Sequence, residues 1–114
     1  MMELQKLKLD KFTTYNGYNM PEDFHVPLTQ SDNPQVFFVF LHSFEELNRY
    51  TNMIRNNQTH KDNRIFYIYR RGQKSFHRDH IAAFARRAPF LKRKAPMLCR
   101  LDDTYSCFTF MVNL

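Results

Sequence analysis

The sequence predicts a small α/β domain built on a mostly parallel sheet, with two crossover helices and a C-terminal antiparallel hairpin. Three features carry that expectation. Two short runs, residues 35–41 (QVFFVFL) and 65–69 (IFYIY), are apolar and rich in β-branched and aromatic side chains. Each is followed by a stretch with helical apolar spacing. The chain then ends in two strand-like stretches around Asp102-Asp103-Thr104. Alternation of strand and helix builds parallel sheets through right-handed crossovers.

Residues 1–34 read as an irregular segment. Leu4, Leu7 and Phe12 point to a short helix or apolar arm, residues 12–15 to a short strand and Asn16-Gly17 to a turn, while Pro21, Pro27 and Pro34 make the rest loop-like. The main body spans residues 35–114. Residues 35–41 lack the polar alternation of a half-exposed strand and are expected mid-sheet, covered on both faces. Ser43-Phe44-Glu45-Glu46 reads as a capping box, in which the Ser43 hydroxyl and Glu46 carboxylate accept from backbone N–H groups at a helix start. That helix is expected over residues 44–56, with Phe44, Leu47, Tyr50 and Ile54 on its apolar face. After the second buried strand and Gly72, another helix is expected over residues 77–88, with Ile81, Phe84, Ala85 and Ala88 on one face and Pro89 stopping it. Residues 96–101 and 105–112 form the hairpin. With residues 102–104 as its turn, Cys99 faces Cys107; a slip of one residue removes that pairing.

A hydrophobic content of 43% in 114 residues supplies one core, so a single domain is expected. The longest strongly apolar stretch is far too short to cross a bilayer, and the N-terminus lacks an apolar signal-peptide segment. Two cysteines without CxxC spacing make neither a disulfide scaffold nor a zinc ribbon. A soluble cytoplasmic protein with free thiols and no membrane partner is therefore expected. The net charge of +6 is concentrated: residues 64–100 hold eleven Lys and Arg against the single acid Asp79, while the remainder is net acidic.

VFFVFLHSFEEL, IFYIYRRGQ, SFHRDHI and LDDTYSCFTF are similar to landmarks of a family of uncharacterised small bacterial α/β domains, with Arg70-Arg71 standing where that family has Pro-Lys. The element order resembles the C-terminal half of a class I methyltransferase. The resemblance, over residues 36–111, implies a small, mostly parallel Rossmann-like sheet. The family carries no assigned activity, so no reaction is implied.

Several constellations have simpler readings. Gly17 and Gly72 are the only glycines, and neither GxGxxG nor GxxxxGK[ST] occurs, so no dinucleotide, S-adenosylmethionine or nucleotide cofactor is expected. His77-Arg78-Asp79 matches three residues of a kinase catalytic loop, but the chain is too short for a kinase and lacks DFG. Asp79 suits the start of a helix, where negative charge is favoured. His77 and His80 share a helical spacing but lack a third metal ligand, so no metal is assigned. Ser43 and Ser75 have a His nearby in sequence but no GxSxG elbow, and no catalytic residue is assigned. Tyr67 and Tyr69 read as core rather than as a base-stacking surface, because RNA-recognition folds run βαββαβ.

The basic loop remains. Arg70, Arg71, Lys74, His77 and Arg78 follow a parallel strand and precede a helix, where open α/β sheets bind ligands and helix N–H groups accept anions. His42 and Ser43 stand at the equivalent end of the preceding strand. Arg86 and Arg87 suit a helix C-terminus and Lys92 to Lys94 a solvated loop. The expected function is a non-catalytic binding or regulatory domain that recognises an anionic partner: nucleic acid, a phosphorylated ligand or an acidic protein. The alternative is a divergent methyltransferase-like enzyme using the same strand-end cleft.

Overall fold

Strands without a polar face need cover on both sides, and here the two come from different kinds of structure. The computed structural model describes residues 2–114. Two 3-10 turns, Leu4–Leu7 and Leu9–Lys11, lead into β1 (Thr14–Tyr18) and the short β2 (Thr29–Gln30). Then come β3 (Val36–Leu41), α1 (Phe44–Asn57), β4 (Arg64–Arg70), α2 (Arg78–Arg86), β5 (Leu91–Arg100) and β6 (Tyr105–Val112). The six strands form one sheet in the order β2-β1-β3-β4-β6-β5.

As expected, β3 and β4 are adjacent and parallel, from Val36 opposite Arg64 to Leu41 opposite Tyr69, with α1 between them in sequence. Alternate side chains fill two cores. Phe37, Val39, Leu41, Ile65, Tyr67 and Tyr69 pack on the face that receives Leu47 and Ile54 of α1 and Ile81 of α2. Val36, Phe38, Phe40, Phe66 and Ile68 pack on the opposite face with Leu7, Leu9 and Phe12. Burying each such aromatic or branched side chain contributes about 1.5–3 kcal/mol relative to exposure.

The expected Rossmann-like, mostly parallel sheet is corrected. The sheet is mixed: β2, β1, β3 and β4 pair in parallel, whereas β6 is antiparallel to both β4 and β5. Both helices share one face, and the second face is closed by the 3-10 turns and by Phe24, Val26 and Leu28 instead of a helical layer. The connection at residues 102–104 is too short for a crossover, so β6 must return antiparallel to β5, and it does so between β5 and β4.

Four local expectations also change. Asn16-Gly17 lies inside β1 rather than in a turn; a Cβ on Gly17 would collide with the Phe38 carbonyl oxygen and lie 2.8 Å from Met20 Sδ, so glycine allows the strands to approach. Phe44 is 51% exposed and edge-on to Phe84, leaving Leu47, Thr51 and Ile54 as the buried residues of α1. The second helix ends at Arg86, two residues early. Lys92, Arg93 and Lys94 belong to the edge strand β5, whose charges, Pro96 and register break between Arg93 and Leu98 discourage pairing with another chain.

Candidate anion-binding site

The basic loop is pinned at both ends. β4 ends with Arg70 opposite Tyr105, and the ladder gains one more bond where the Arg71 N–H donates to the Thr104 carbonyl at 2.7 Å. Gly72 then turns the chain with φ 77°, a conformation that other residues adopt at a cost of about 1–2 kcal/mol. At the far end Phe76 is buried in the helix-side core and stacks on His80. Between these anchors every residue from Arg71 to Ser75 is exposed.

The histidines cap α2. His77 Nδ1 accepts from the Asp79 N–H at 3.3 Å, and His80 Nδ1 accepts from the His77 N–H at 3.2 Å. Both Nδ1 lone pairs are thus engaged with backbone, and the rings meet edge to face at 4.5 Å. Among the described residues no cluster of three His, Cys, Asp or Glu is arranged to hold a metal ion.

Arg71 and Arg78 act on one hydroxyl. Burial raises the Tyr69 pKa, Cys107 adds to the rise and Cys99 pushes the same way, while the Arg78 and Arg71 guanidinium charges oppose it. Two cations from opposite ends of the loop therefore lie within electrostatic reach of the Tyr69 oxygen. Asp79 is exposed, with Oδ1 3.9 Å from Arg78 Nε, and Asp103, which adjoins Thr104, is paired with Arg100.

His42 and Ser43 have other partners. The Ser43 hydroxyl accepts from the Glu46 N–H at 3.2 Å, and the Glu46 carboxylate accepts from the His42 N–H at 2.7 Å, one residue before the helix cap. Glu46 also meets His42 Nδ1 at 3.1 Å and accepts from Asn19 Nδ2 at 3.1 Å. Tyr18 stacks on Tyr50 beside them, with centroids 4.4 Å apart. The start of α1 already holds the protein's own carboxylate, so the predicted site contracts to Arg70, Arg71, Lys74 and Arg78, with His77 as a cap.

Four cations elsewhere make ion pairs. Lys6 pairs with Glu3 at 2.6 Å, Lys11 and Arg64 share Asp62 at 3.2 and 2.7 Å, and Arg100 pairs with Asp103. Among the described residues Arg70, Arg71 and Lys74 make no ion pair. Lys92 and Arg93 lie opposite Met111 and Phe110, and Phe110 pairs with Ile65. At about 3.3 Å per residue, that is about 17 Å along the sheet from Arg70.

The sequence reading missed Tyr69 and Phe76 as parts of this site. Tyr69 was legible only as the last ring of a buried strand, and Phe76 as an isolated aromatic in a polar loop. A cleft of about 660 Å³ opens on the opposite face, lined by Met2, Leu4, Phe24, His25, Asp102 and Tyr105 among others, and neither His42 nor His77 borders it. Among the described residues no helix is long and apolar enough to cross a membrane. Comparisons with protein-family models, curated proteins and solved structures return no match to this chain.

Proposed function

We propose that this chain is a non-catalytic binding domain that grips a phosphate-bearing polyanion, such as nucleic acid, through the loop of residues 70–78. Arg71 and Arg78 carry the main contacts, and Arg70 and Lys74 add to the local positive potential. The supporting observation is the cluster at the end of β4: four exposed cations on one anchored segment, of which Arg70, Arg71 and Lys74 make no ion pair among the described residues and Arg78 has only the exposed Asp79 beside it. Guanidinium groups suit this task because their planar N–H donors match two phosphate oxygens at once. Anchoring by Phe76 and by the Arg71–Thr104 bond limits the entropy lost when the loop engages a ligand. The free thiols Cys99 and Cys107 fit a reducing, cytoplasmic home.

The test compares two double variants in titrations with short single- and double-stranded oligonucleotides at several salt concentrations. Arg71→Ala/Arg78→Ala should flatten the slope of log affinity against log salt by about two units, since each phosphate contact releases about one counterion. Lys92→Ala/Lys94→Ala, at the other end of the sheet, should leave the slope close to wild type. Equal effects from the two pairs, or no binding at low salt, would refute the reading.

A further inference from the structure

Cys99 and Cys107 are directly opposed partners of β5 and β6, in the register expected from the turn at residues 102–104. Their side chains share the face of the hairpin that lies beneath the first 3-10 turn. Opposed residues of antiparallel strands have Cα atoms about 4.5–5.5 Å apart, inside the roughly 4.4–6.8 Å that a disulfide spans. Oxidation therefore requires sulfur rotation and no change of register.

The two thiols are unlike. Cys99 is half-buried, whereas Cys107 is completely buried. A hydrogen bond from Cys107 holds the Cys99 thiol down at about 7, against its partial burial, and the Lys6 ammonium adds to the effect. Burial and the neighbouring Cys99 push the Cys107 thiol well up. Lys6 is held over the strand by its 3.0 Å bond to the Arg100 carbonyl and is paired with Glu3. On the other neighbouring elements, Arg100 is turned to Asp103, the Thr109 hydroxyl lies 3.9 Å from Cys107 Sγ, and the Tyr69 phenol of β4 senses both sulfurs.

We propose that Cys99 and Cys107 form a reversible oxidation site, with Cys99 as the attacking sulfur, Cys107 as the resolving sulfur and a hydroperoxide as oxidant. The Cys99 thiolate attacks one peroxide oxygen; the O–O bond breaks and the other oxygen leaves as an alcohol or water after taking a proton. Cys99 is then a sulfenic acid. The Cys107 sulfur, losing its proton, attacks the Cys99 sulfur; the S–O bond breaks and water departs. The two thiols have given up two electrons and the peroxide has accepted them. A dithiol reductant reverses the bond by exchange. This site uses no residue of the basic loop and stands apart from the anion-binding reading.

The experiment treats the reduced, folded protein with hydrogen peroxide, caps remaining thiols with N-ethylmaleimide in denaturant, and maps tryptic peptides without reductant. Cleavage after Lys94 and Arg100 separates the two cysteines, so an internal disulfide appears as peptide 95–100 joined to peptide 101–114 in monomeric protein. The expected result is that joined species, lost on adding dithiothreitol, with both thiols then capped. Cys107→Ser should instead halt at a Cys99 sulfenic acid captured by dimedone, and Cys99→Ser should leave Cys107 reduced at the same peroxide dose. Wild-type Cys99 accumulating as sulfinic acid beside a still cappable Cys107, covalent dimers, or both thiols surviving peroxide that oxidises exposed Met97 would each overturn the proposal.

Discussion

Asn63 closes the lower end of the sheet with its side chain, and removing that side chain should be among the most damaging single changes in the protein. It lies one residue before β4, opposite Val112 in the register that pairs Ile65 with Phe110, and is fully buried. Its Nδ2 donates to the Val112 carbonyl at 3.0 Å and to the His60 carbonyl at 2.8 Å, and its Oδ1 accepts from the Val112 N–H at 2.8 Å. Asn63→Ala removes three hydrogen bonds, two of them buried, at about 1 kcal/mol each and leaves the Val112 N–H unpartnered, a loss of about 3 kcal/mol. Against a domain stability of about 5–15 kcal/mol this is large. Asn63→Asp keeps the shape but turns an oxygen toward two carbonyls and buries a charge, so at neutral pH it should cost more than the Ala variant, about 3–5 kcal/mol. Burial raises the pKa of such a carboxyl, so the deficit of the Asp variant is smallest at acid pH and grows as pH rises through the carboxylate range. Urea unfolding followed by far-ultraviolet circular dichroism measures this. With a slope of about 1–3 kcal/mol/M, the Ala midpoint should fall by about 1–3 M. A midpoint at the wild-type value for Ala, or an Asp variant more stable than Ala at neutral pH, would refute the reasoning.

Two further outcomes follow from buried polar groups. Thr51 Oγ1 and the Tyr67 hydroxyl meet at 2.6 Å with both residues buried, so Tyr67→Phe and Thr51→Val should each lose about 1–3 kcal/mol by stranding the other group. The double variant should lose less than the sum, and strict additivity in urea unfolding would contradict the coupling. Because the hydrogen bond from Cys107 and the Lys6 charge favour the Cys99 thiolate, iodoacetamide should alkylate Cys99 with a half-maximal rate near pH 7, its reactivity falling below that pH. Lys6→Gln should move that midpoint upward, and a midpoint unchanged by unfolding in urea would contradict the account.

The elements legible in the sequence are those with strong local signals. The unbroken apolar runs of β3 and β4, the Ser43 cap, the helical spacing of Leu47 and Ile54, and the turn at residues 102–104 that sets Cys99 against Cys107 all appear in the structure. What escaped depends on tertiary contacts. Gly17 looks like a turn residue until the Phe38 carbonyl is seen where its Cβ would lie. Lys92 to Lys94 look like a solvated loop because an edge strand also bears charge. The mixed sheet escaped because nothing local states that β6 inserts between β4 and β5, or that an irregular N-terminal segment replaces a helical layer. At the candidate site the basic residues and the Ser43 cap were visible, but the engagement of His42 was not, since the Glu46 carboxylate accepts from the His42 N–H, one residue before the position that the capping box predicts.

The anion-binding account is tested most directly by location. Isotope-labelled protein should be titrated with a short unlabelled oligonucleotide at low salt while backbone amide resonances are followed. The account predicts that the largest shifts fall on Arg71, Gly72, His77, Arg78 and Asp79, with Thr104 moving through its bond to Arg71. Largest shifts at Lys92 to Lys94, or small shifts spread evenly over the basic surface, would contradict it.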